Sequence, residues 1–456
     1  MTKISNKKPH VAVLAFPFGT HAAPLLHLVR KLASLDDLVI FSFFSTAKSN
    51  ASIFGHVRVA DNNIRVYDIE DGVPEGYVFT GKHQEDIELF IKATPTNFKK
   101  GFEVAVEESG GRSINCILSD AFLWEVADVA EEMGVSWVPF WTAGASSIST
   151  HFYTDLIRKK VEAGGQNGYN KEEEPLDFIP GMSSLCIRDL QEGIVKGNLD
   201  SLFSRLLLQM GKMVPRATAV VLNSFEELDP LILDDLKEKF QQCLTVGPLN
   251  LTSPSAPDTG DNSCIKWLDD QKPASVAYIS FGTVMAPPPH ELTALAQGLE
   301  ASGVPFLWSI KDKLKVHLPD GFLARTKESG MVVPWVPQSQ VLGHKSVGVF
   351  MTHGGWNSVL ESITGGVPMI CRPFFGDQRL NAGFVSSVWE IGIRATDGTL
   401  TKDGVTGDLD RMLSRKEGHF MREKVEALNE QANQAVSTEG SSTRNFNVLL
   451  ELVTKI

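Results

Sequence analysis

The chain has 456 residues, 43% of them hydrophobic and 21% charged, with a formal net charge of −12. That length suits two or three domains with large cores, and the acidic balance argues against nucleic acid and anionic membrane surfaces, both of which favour basic patches. No apolar run reaches the roughly 18 residues of a membrane-crossing helix, and the five cysteines (Cys116, Cys186, Cys243, Cys264, Cys371) are odd in number, far apart and in no metal-like spacing. Such cysteines fit a reducing cytosol better than a disulfide framework. The basic start MTKISNKKPH leads into an apolar stretch too short for a secretory signal. A cytoplasmic location is therefore expected, and the sequons at Asn50 and Asn250 should carry no glycan.

Residues 10–16 read as a buried strand, residues 17–21 (PFGTH) as a sharp loop, and Ala22–Leu35 as a helix. Strands follow at 38–44 and Ile64–Ile69, a helix over 84–102, and a strand at 115–120 that ends in Asp120. A helix over 122–133, a strand at Ser136–Trp141 and a helix opened by Thr142-Ala143-Gly144 and running through His151 come next. Residues 161–177 form a polar, Gly- and Glu-rich surface loop, and 218–223 returns as a strand. The Pro-, Ser-, Thr-, Asp- and Gly-rich stretch at 249–263 reads as an interdomain linker. Beyond it lie strands at 276–281, 305–310, 331–335, 347–351 and 368–371, with helices over 289–301, 416–437 and 440–456. Strands alternating with helices on both sides of a linker predict an α/β protein of two lobes, each with a parallel sheet. His21, Asp120 and Thr142 all fall at strand carboxyl ends, which share one edge in such a sheet.

Residues 335–378 carry the densest chemistry. The strand at 347–351 runs into Thr352-His353-Gly354-Gly355, and a helix starts near Trp356. Free N–H groups and the macrodipole at a helix start make an anion site, and glycines allow close approach of a ligand. His353, Asn357 and Ser358 add donors, and Glu361 shares their helix face, where a carboxylate can accept from sugar hydroxyls. Asp377 and Gln378 follow the next strand at its carboxyl end.

These 44 residues, beginning at Trp335 and ending at Gln378, resemble the signature of plant family 1 UDP-sugar-dependent glycosyltransferases without a gap. One position departs: Gly354 stands where the family usually has Cys, which costs local backbone rigidity and leaves the proposed ligand groups untouched. The resemblance extends over nearly the whole chain. It implies a GT-B fold, two Rossmann-like lobes with parallel sheets facing across a cleft. An acceptor-binding lobe spans 1–248, a linker 249–263, a UDP-sugar-binding lobe 264–437, and a last helix, 438–456, returns to the first lobe.

The resemblance also implies roles. His21 is the family's general base, held by Asp120, which otherwise reads as an N-cap for the helix from Phe122. Trp335 stacks on uracil, and the Val336 main chain reads its edge. Gln338 and Glu361 hold the ribose, and His353, Asn357, Ser358 and Thr283 hold the phosphates. Trp356, Asp377, Gln378, Thr20 and Thr142 contact the transferred sugar. The stretches FPFGTHAAPLL, DGVPEGYVF, QEDIELF, DAFLW, FWTAGASS, NSFEELDP and YISFGTVMAPPP are most similar to flavonoid 3-O-glucosyltransferases. In those relatives aromatics line a slot for a flat ring system. The matching positions are Phe18, Gln84, Phe122, His151, Phe203 and Phe375, with His21 beside them. The expected reaction is inverting transfer of glucose from UDP-glucose, a co-substrate, to the 3-hydroxyl of a flavonol or anthocyanidin. No cofactor and no metal are expected: no Asp-x-Asp pair is read that would hold a metal-bound diphosphate, so helix dipole and donors should meet the leaving-group charge. Two alternatives stay open: another small acceptor (a terpenoid, hormone or simple phenol), or a UDP-sugar-binding protein without catalysis. One further motif fails on its context. Residues 76–82 have phosphate-loop spacing, but His83 follows where Ser or Thr should stand, and a turn rather than a strand precedes them.

Overall fold

A computed structural model describes residues 8–55, 63–81, 84–164, 171–252 and 263–455. Most of the expected linker, at 253–262, lies outside the described residues, as do Lys82, His83 and residues 165–170 of the expected surface loop. The chain forms two compact units: Met1–Glu162, Gly193–Ser253 and Ala435–Ile456 make the first, Ala163–Glu192 and Pro254–Gln434 the second.

The first unit holds seven parallel strands: β1 (His10–Leu14), β2 (Ile40–Thr46), β3 (Ile64–Ile69), β4 (Cys116–Asp120), β5 (Ser136–Trp141), β6 (Val220–Leu222) and β7 (Cys243–Thr245), in the order β3-β2-β1-β4-β5-β6-β7. β1 and β2 are buried at every position, which is why they read as continuous apolar runs rather than alternating ones. The direction of winding reverses between β1 and β4, whose registers meet at Val11 and Cys116. Such a switch point opens a crevice beyond the strand carboxyl ends. The loop after β1 carries His21, and Asp120 is the last residue of β4. Phe446, Leu449 and Val453 of the helix Ser441–Thr454 join the same core as Val11, Leu25 and Phe41.

The second unit repeats the plan with β8 (Val276–Ser280), β9 (Phe306–Ser309), β10 (Gly330–Val333), β11 (Val347–Thr352), β12 (Met369–Cys371) and β13 (Gly392–Arg394), all parallel, in the order β10-β9-β8-β11-β12-β13. Its reversal falls between β8 and β11. Gly282-Thr283 leaves one of these strands and His353-Gly354-Gly355 the other. Residues 171–192 pack with this unit, where Asp189 Oδ1 accepts from Arg394 Nη1 at 2.7 Å.

Two expectations need correction. The helix expected from residue 122 begins only at Val126. Asp120 Oδ1 accepts from the Phe122 N–H at 2.9 Å and the Asp120 carbonyl from the Leu123 N–H at 3.0 Å, so Asp120 caps a turn and not the helix. The polar stretch from 161 is still helical up to Gly164, as the end of Thr154–Gly164.

Candidate active site

At the first unit's switch point His21 Nδ1 lies 2.8 Å from Asp120 Oδ2. Asp120 is 1% exposed and His21 20%. The carboxylate is therefore fixed from two sides, by the Phe122 N–H on Oδ1 and by the imidazole on Oδ2. A carboxylate at Nδ1 fixes the tautomer of the neutral ring, with the proton on Nδ1 and Nε2 as the acceptor. Thr142 Oγ1 stands 3.3 Å from the same Nδ1. Thr20 is exposed in the loop where Gly19 takes φ +65°.

Around this pair the aromatics form one connected group. Phe122 packs 4.4 Å from the His21 ring centre, 5.8 Å from Trp141 and 6.1 Å from Phe203. Phe16 touches Phe18, His21 and Phe122 at 5.2, 5.3 and 5.2 Å. Trp141 reaches His151 at 5.8 Å. Burial pushes the His151 imidazole down to about 3, so it is neutral near pH 7. Phe18, Phe122, His151 and Phe203 are thus brought together with His21. Phe375 belongs to the second unit, 39% exposed. Phe16, Trp141 and Phe90, the last on the helix Glu85–Glu108 and 5.7 Å from Phe18, complete the group and were not singled out in the sequence; an apolar aromatic in a strand or helix reads only as core. Gln84 adopts φ +67°, a left-handed conformation that costs a non-glycine residue energy and recurs at functional sites. Its neighbour Glu85 fastens the preceding loop, accepting from Tyr77 Oη at 2.5 Å and the Thr80 N–H at 2.9 Å.

At the second switch point the His353 ring is wedged between glycines. A Cβ on Gly355 would come within 2.4 Å of His353 Nε2, and one on Gly282 within 3.0 Å of Cε1. Burial pushes His353 down to about 4, so near pH 7 the ring is neutral and can act as a donor without carrying charge. The helix Trp356–Thr364 has Gly355 at its N-cap and no side-chain cap, and a helix start of that kind is suited to an anion. Asn357 is half-buried on its first turn. Gly354 takes φ +77°, where glycine is at ease, so the residue that departs from the signature suits its backbone.

One hydrogen-bonded chain links the expected ribose groups. Tyr278 Oη donates to Gln338 Oε1 at 2.8 Å, and Gln338 Nε2 donates to Glu361 Oε2 at 2.6 Å and to Ser358 Oγ at 3.2 Å. Ser339 Oγ donates to Glu361 Oε1 at 2.8 Å. Burial raises the Glu361 carboxyl above its ordinary value, and the Gln338 and Ser339 donors oppose that. Tyr278 and Ser339 were missed because nothing in a β-strand tyrosine announces a partner 60 residues away. Trp335 is 56% exposed, a large indole face open for stacking, and Val336 is buried at 4%.

At the end of β12, Gln378 is only 3% exposed, and its Oε1 accepts from the Phe374 and Phe375 N–H groups at 2.8 and 3.2 Å. Its acceptor atom thus shapes the loop, and Nε2 is the atom left to reach a sugar. Asp377 begins the helix Gln378–Gly383. Trp356 is 4% exposed with its indole against Trp389, so a sugar contact there falls to its main chain. Thr283 is exposed, and its carbonyl accepts from Lys311 Nζ at 2.7 Å.

Two patterns carry no chemistry here. The helix after the loop at 76–82 opens with Glu85, Asp86 and Glu88, which would repel a phosphate. The expectation of no Asp-x-Asp pair needs correction: the sequence does hold one, Asp408-Leu409-Asp410, but Asp408 is buried and both carboxylates have partners within the chain. Asp408 accepts from Thr396 Oγ1 at 2.7 Å, and Asp410 pairs with Arg415 at 2.7 Å. Among the described residues no helix is long and apolar enough to cross a membrane.

With this geometry in place, residues 45–428 match the family described as UDP-glucoronosyl and UDP-glucosyl transferase. An anthocyanidin 3-O-glucosyltransferase of Vitis vinifera is 56% identical over 99% of this chain and 98% of its own length. A flavonol 3-O-glucosyltransferase of Arabidopsis thaliana is 53% identical over 100% of both. A solved structure of a UDP-glucose: anthocyanidin 3-O-glucosyltransferase in complex with UDP matches with a TM-score of 0.91 and 42% identity, over 98% of this chain and 99% of that one. The two Rossmann-like parallel-sheet units are the GT-B fold expected from the sequence.

Proposed function

Because the chain belongs to the UDP-glucoronosyl and UDP-glucosyl transferase family, we propose that it transfers glucose from UDP-glucose to the 3-hydroxyl of a flavonol or anthocyanidin, giving a β-glucoside. The observation that carries this reading is the 2.8 Å His21–Asp120 pair inside an aromatic group, in a chain similar end to end to anthocyanidin and flavonol 3-O-glucosyltransferases. The first unit takes the acceptor, with the aromatics of Phe18, Phe122 and Phe203 on its rings and Gln84 and His151 as polar contacts; Phe375 is the further aromatic that the family resemblance assigns to the acceptor. The second unit takes the donor. Trp335 stacks on uracil, with the Val336 main chain at its edge, and Gln338 and Glu361 hold the ribose. His353, Asn357, Ser358 and Thr283 hold the diphosphate.

His21 Nε2 takes the proton of the 3-hydroxyl as that oxygen forms a bond to the anomeric carbon of UDP-α-glucose. The bond from that carbon to the UDP oxygen breaks on the opposite face, which inverts the centre. The transition state has oxocarbenium character, as in other glycosyl transfers. The charge left on UDP falls on the uncapped helix start and its donors, which need no reorganisation as it develops. Asp377, the Gln378 amide and the Trp356 main chain orient the sugar, with Thr20 and Thr142 beside the base.

Mass spectrometry and NMR of the product from UDP-glucose and a flavonol test the reading. A single 3-O-linked hexose with a β anomeric centre is expected. A different linkage, or turnover only with terpenoids, hormones or simple phenols, would replace the acceptor. UDP binding without UDP release from any acceptor would replace the enzyme by a binding protein.

Tyr278→Phe gives a finer check on the ribose end. The ring stays stacked on Phe350, 4.9 Å between centres, and the hydroxyl that donates to Gln338 and also meets Ser280 is lost. One such bond contributes about 0.5–1.5 kcal/mol, so KM for UDP-glucose should rise about 3–10-fold with kcat little changed. An unchanged KM would show that Gln338 needs no help.

A further inference from the structure

Asn381 is 0% exposed, in the short helix after β12. Its Nδ2 donates to the Gly354 carbonyl at 2.9 Å and to Asp377 Oδ2 at 3.0 Å. One amide therefore joins the glycine loop after β11 to the acidic residue after β12. The orientation of the amide follows from its partners. Rotated by half a turn, Oδ1 would face a carbonyl oxygen and a carboxylate, and only a donor satisfies both. In the orientation adopted, Oδ1 is buried with no hydrogen-bond partner. A buried acceptor left in this way is destabilising, so the two donated bonds outweigh a real penalty. Gly354 sits at φ +77°. A glycine turn is soft, and a fixed carbonyl removes that softness.

We propose that Asn381 is a positioning residue for sugar recognition. It locks the Asp377 carboxylate at one setting relative to the diphosphate-binding loop, and so sets the preference for UDP-glucose over its C4 epimer UDP-galactose. The inference rests on the donor assignment above. Epimers differ by the direction of one hydroxyl, and a carboxylate discriminates between them only if it cannot follow that hydroxyl. UDP alone lacks the sugar, so its binding does not depend on where Asp377 points.

The test compares Asn381→Ala with the unaltered enzyme on three readings: kcat/KM for UDP-glucose, kcat/KM for UDP-galactose, and inhibition by UDP. Asn381→Ala is expected to lower kcat/KM for UDP-glucose about tenfold, the worth of roughly one to two hydrogen bonds. The glucose-to-galactose ratio should fall with it, while inhibition by UDP stays near that of the unaltered enzyme. Asn381→Ala added to Asp377→Ala should lower UDP-glucose use no further, since the two act as one unit. A ratio unchanged in Asn381→Ala, or UDP inhibition weakened as much as UDP-glucose use, would reduce Asn381 to general scaffolding and overturn the proposal. If Asn381→Ala does not fold, Asp377→Glu reads the same tie from its other end. It keeps the charge but moves the carboxylate off the amide, so the ratio should collapse with UDP inhibition retained; a preserved ratio overturns the proposal. Unaltered enzyme that transfers no sugar would overturn both this inference and the donor assignment. Normal transfer with a preserved ratio in the variants overturns this inference alone.

Discussion

Replacing His21 by alanine is expected to lower kcat for glucosyl transfer by about 10²–10⁴-fold, the usual worth of a positioned general base, while UDP-glucose binding stays nearly unchanged. The imidazole is held from behind by a carboxylate that is 1% exposed and from the side by Phe122, 4.4 Å from its ring centre. Its alignment is thus built in before any acceptor arrives. Removing the ring takes away the proton acceptor and leaves the glycine loop, the uncapped helix and the Tyr278–Gln338–Glu361 chain as they are, because all of them belong to the second unit. Steady-state kinetics with a flavonol give kcat, and calorimetry gives donor affinity. Wild-type turnover in the variant would remove His21 as the base. Lost donor binding would mean that the histidine serves the sugar nucleotide instead.

What the sequence disclosed and what it hid follow a physical division. Strands covered on both faces of a parallel sheet are near-continuous apolar runs, so Ser136–Trp141 was legible to the residue; Ile64–Ile69, a half-buried edge strand, was legible from its β-branched and aromatic residues. The strands Cys243–Thr245 and Gly392–Arg394 went unread: each is three residues long and ends in a polar or charged residue, whereas the equally short Val220–Leu222 and Met369–Cys371 are wholly apolar. Groups at strand ends, His21, Asp120 and His353, were legible because an α/β sheet gathers such ends and the signature is dense there. Tyr278 and Asn381 act through hydrogen bonds to partners 60 and 27 residues away, and no local pattern encodes a distant contact. The burial of Gln378 was equally hidden. A glutamine after a strand reads as a ligand group, yet half of its amide closes its own loop.

A second large effect, on stability, is expected from Arg372→Met. Glu291 is 2% exposed beside Arg372, which is 13% exposed. Arg372 Nε donates to Glu291 Oε2 at 2.9 Å, and Nη2 donates to Oε1. The Leu400 N–H adds a third bond at 3.0 Å, and the guanidinium lies 4.5 Å from the centre of the Phe374 ring. Methionine fills similar space but leaves a buried carboxylate without its cation, which costs about 3–5 kcal/mol and lowers the melting transition by on the order of 10 °C. The pH dependence separates this cause from simple loss of packing. In the intact protein burial alone would push the Glu291 carboxyl up, but the Arg372 and Leu400 bonds outweigh it and hold it below the ordinary value. Its contribution is then fully present above the unfolded carboxylate value and is lost as pH falls through the lower folded one. In the variant the Arg372 contributions are gone, burial is opposed chiefly by the Leu400 bond, and the folded value rises. The penalty then exists only above that value and is relieved by protonation. The melting gap between the two proteins should therefore be widest near neutral pH and close on acidification. Adding Glu291→Leu to Arg372→Met should recover much of the loss, since an apolar pair can replace a buried ion pair at little cost. A gap that ignores pH and survives the double substitution would assign the stabilisation to packing on Phe374 instead of the ion pair.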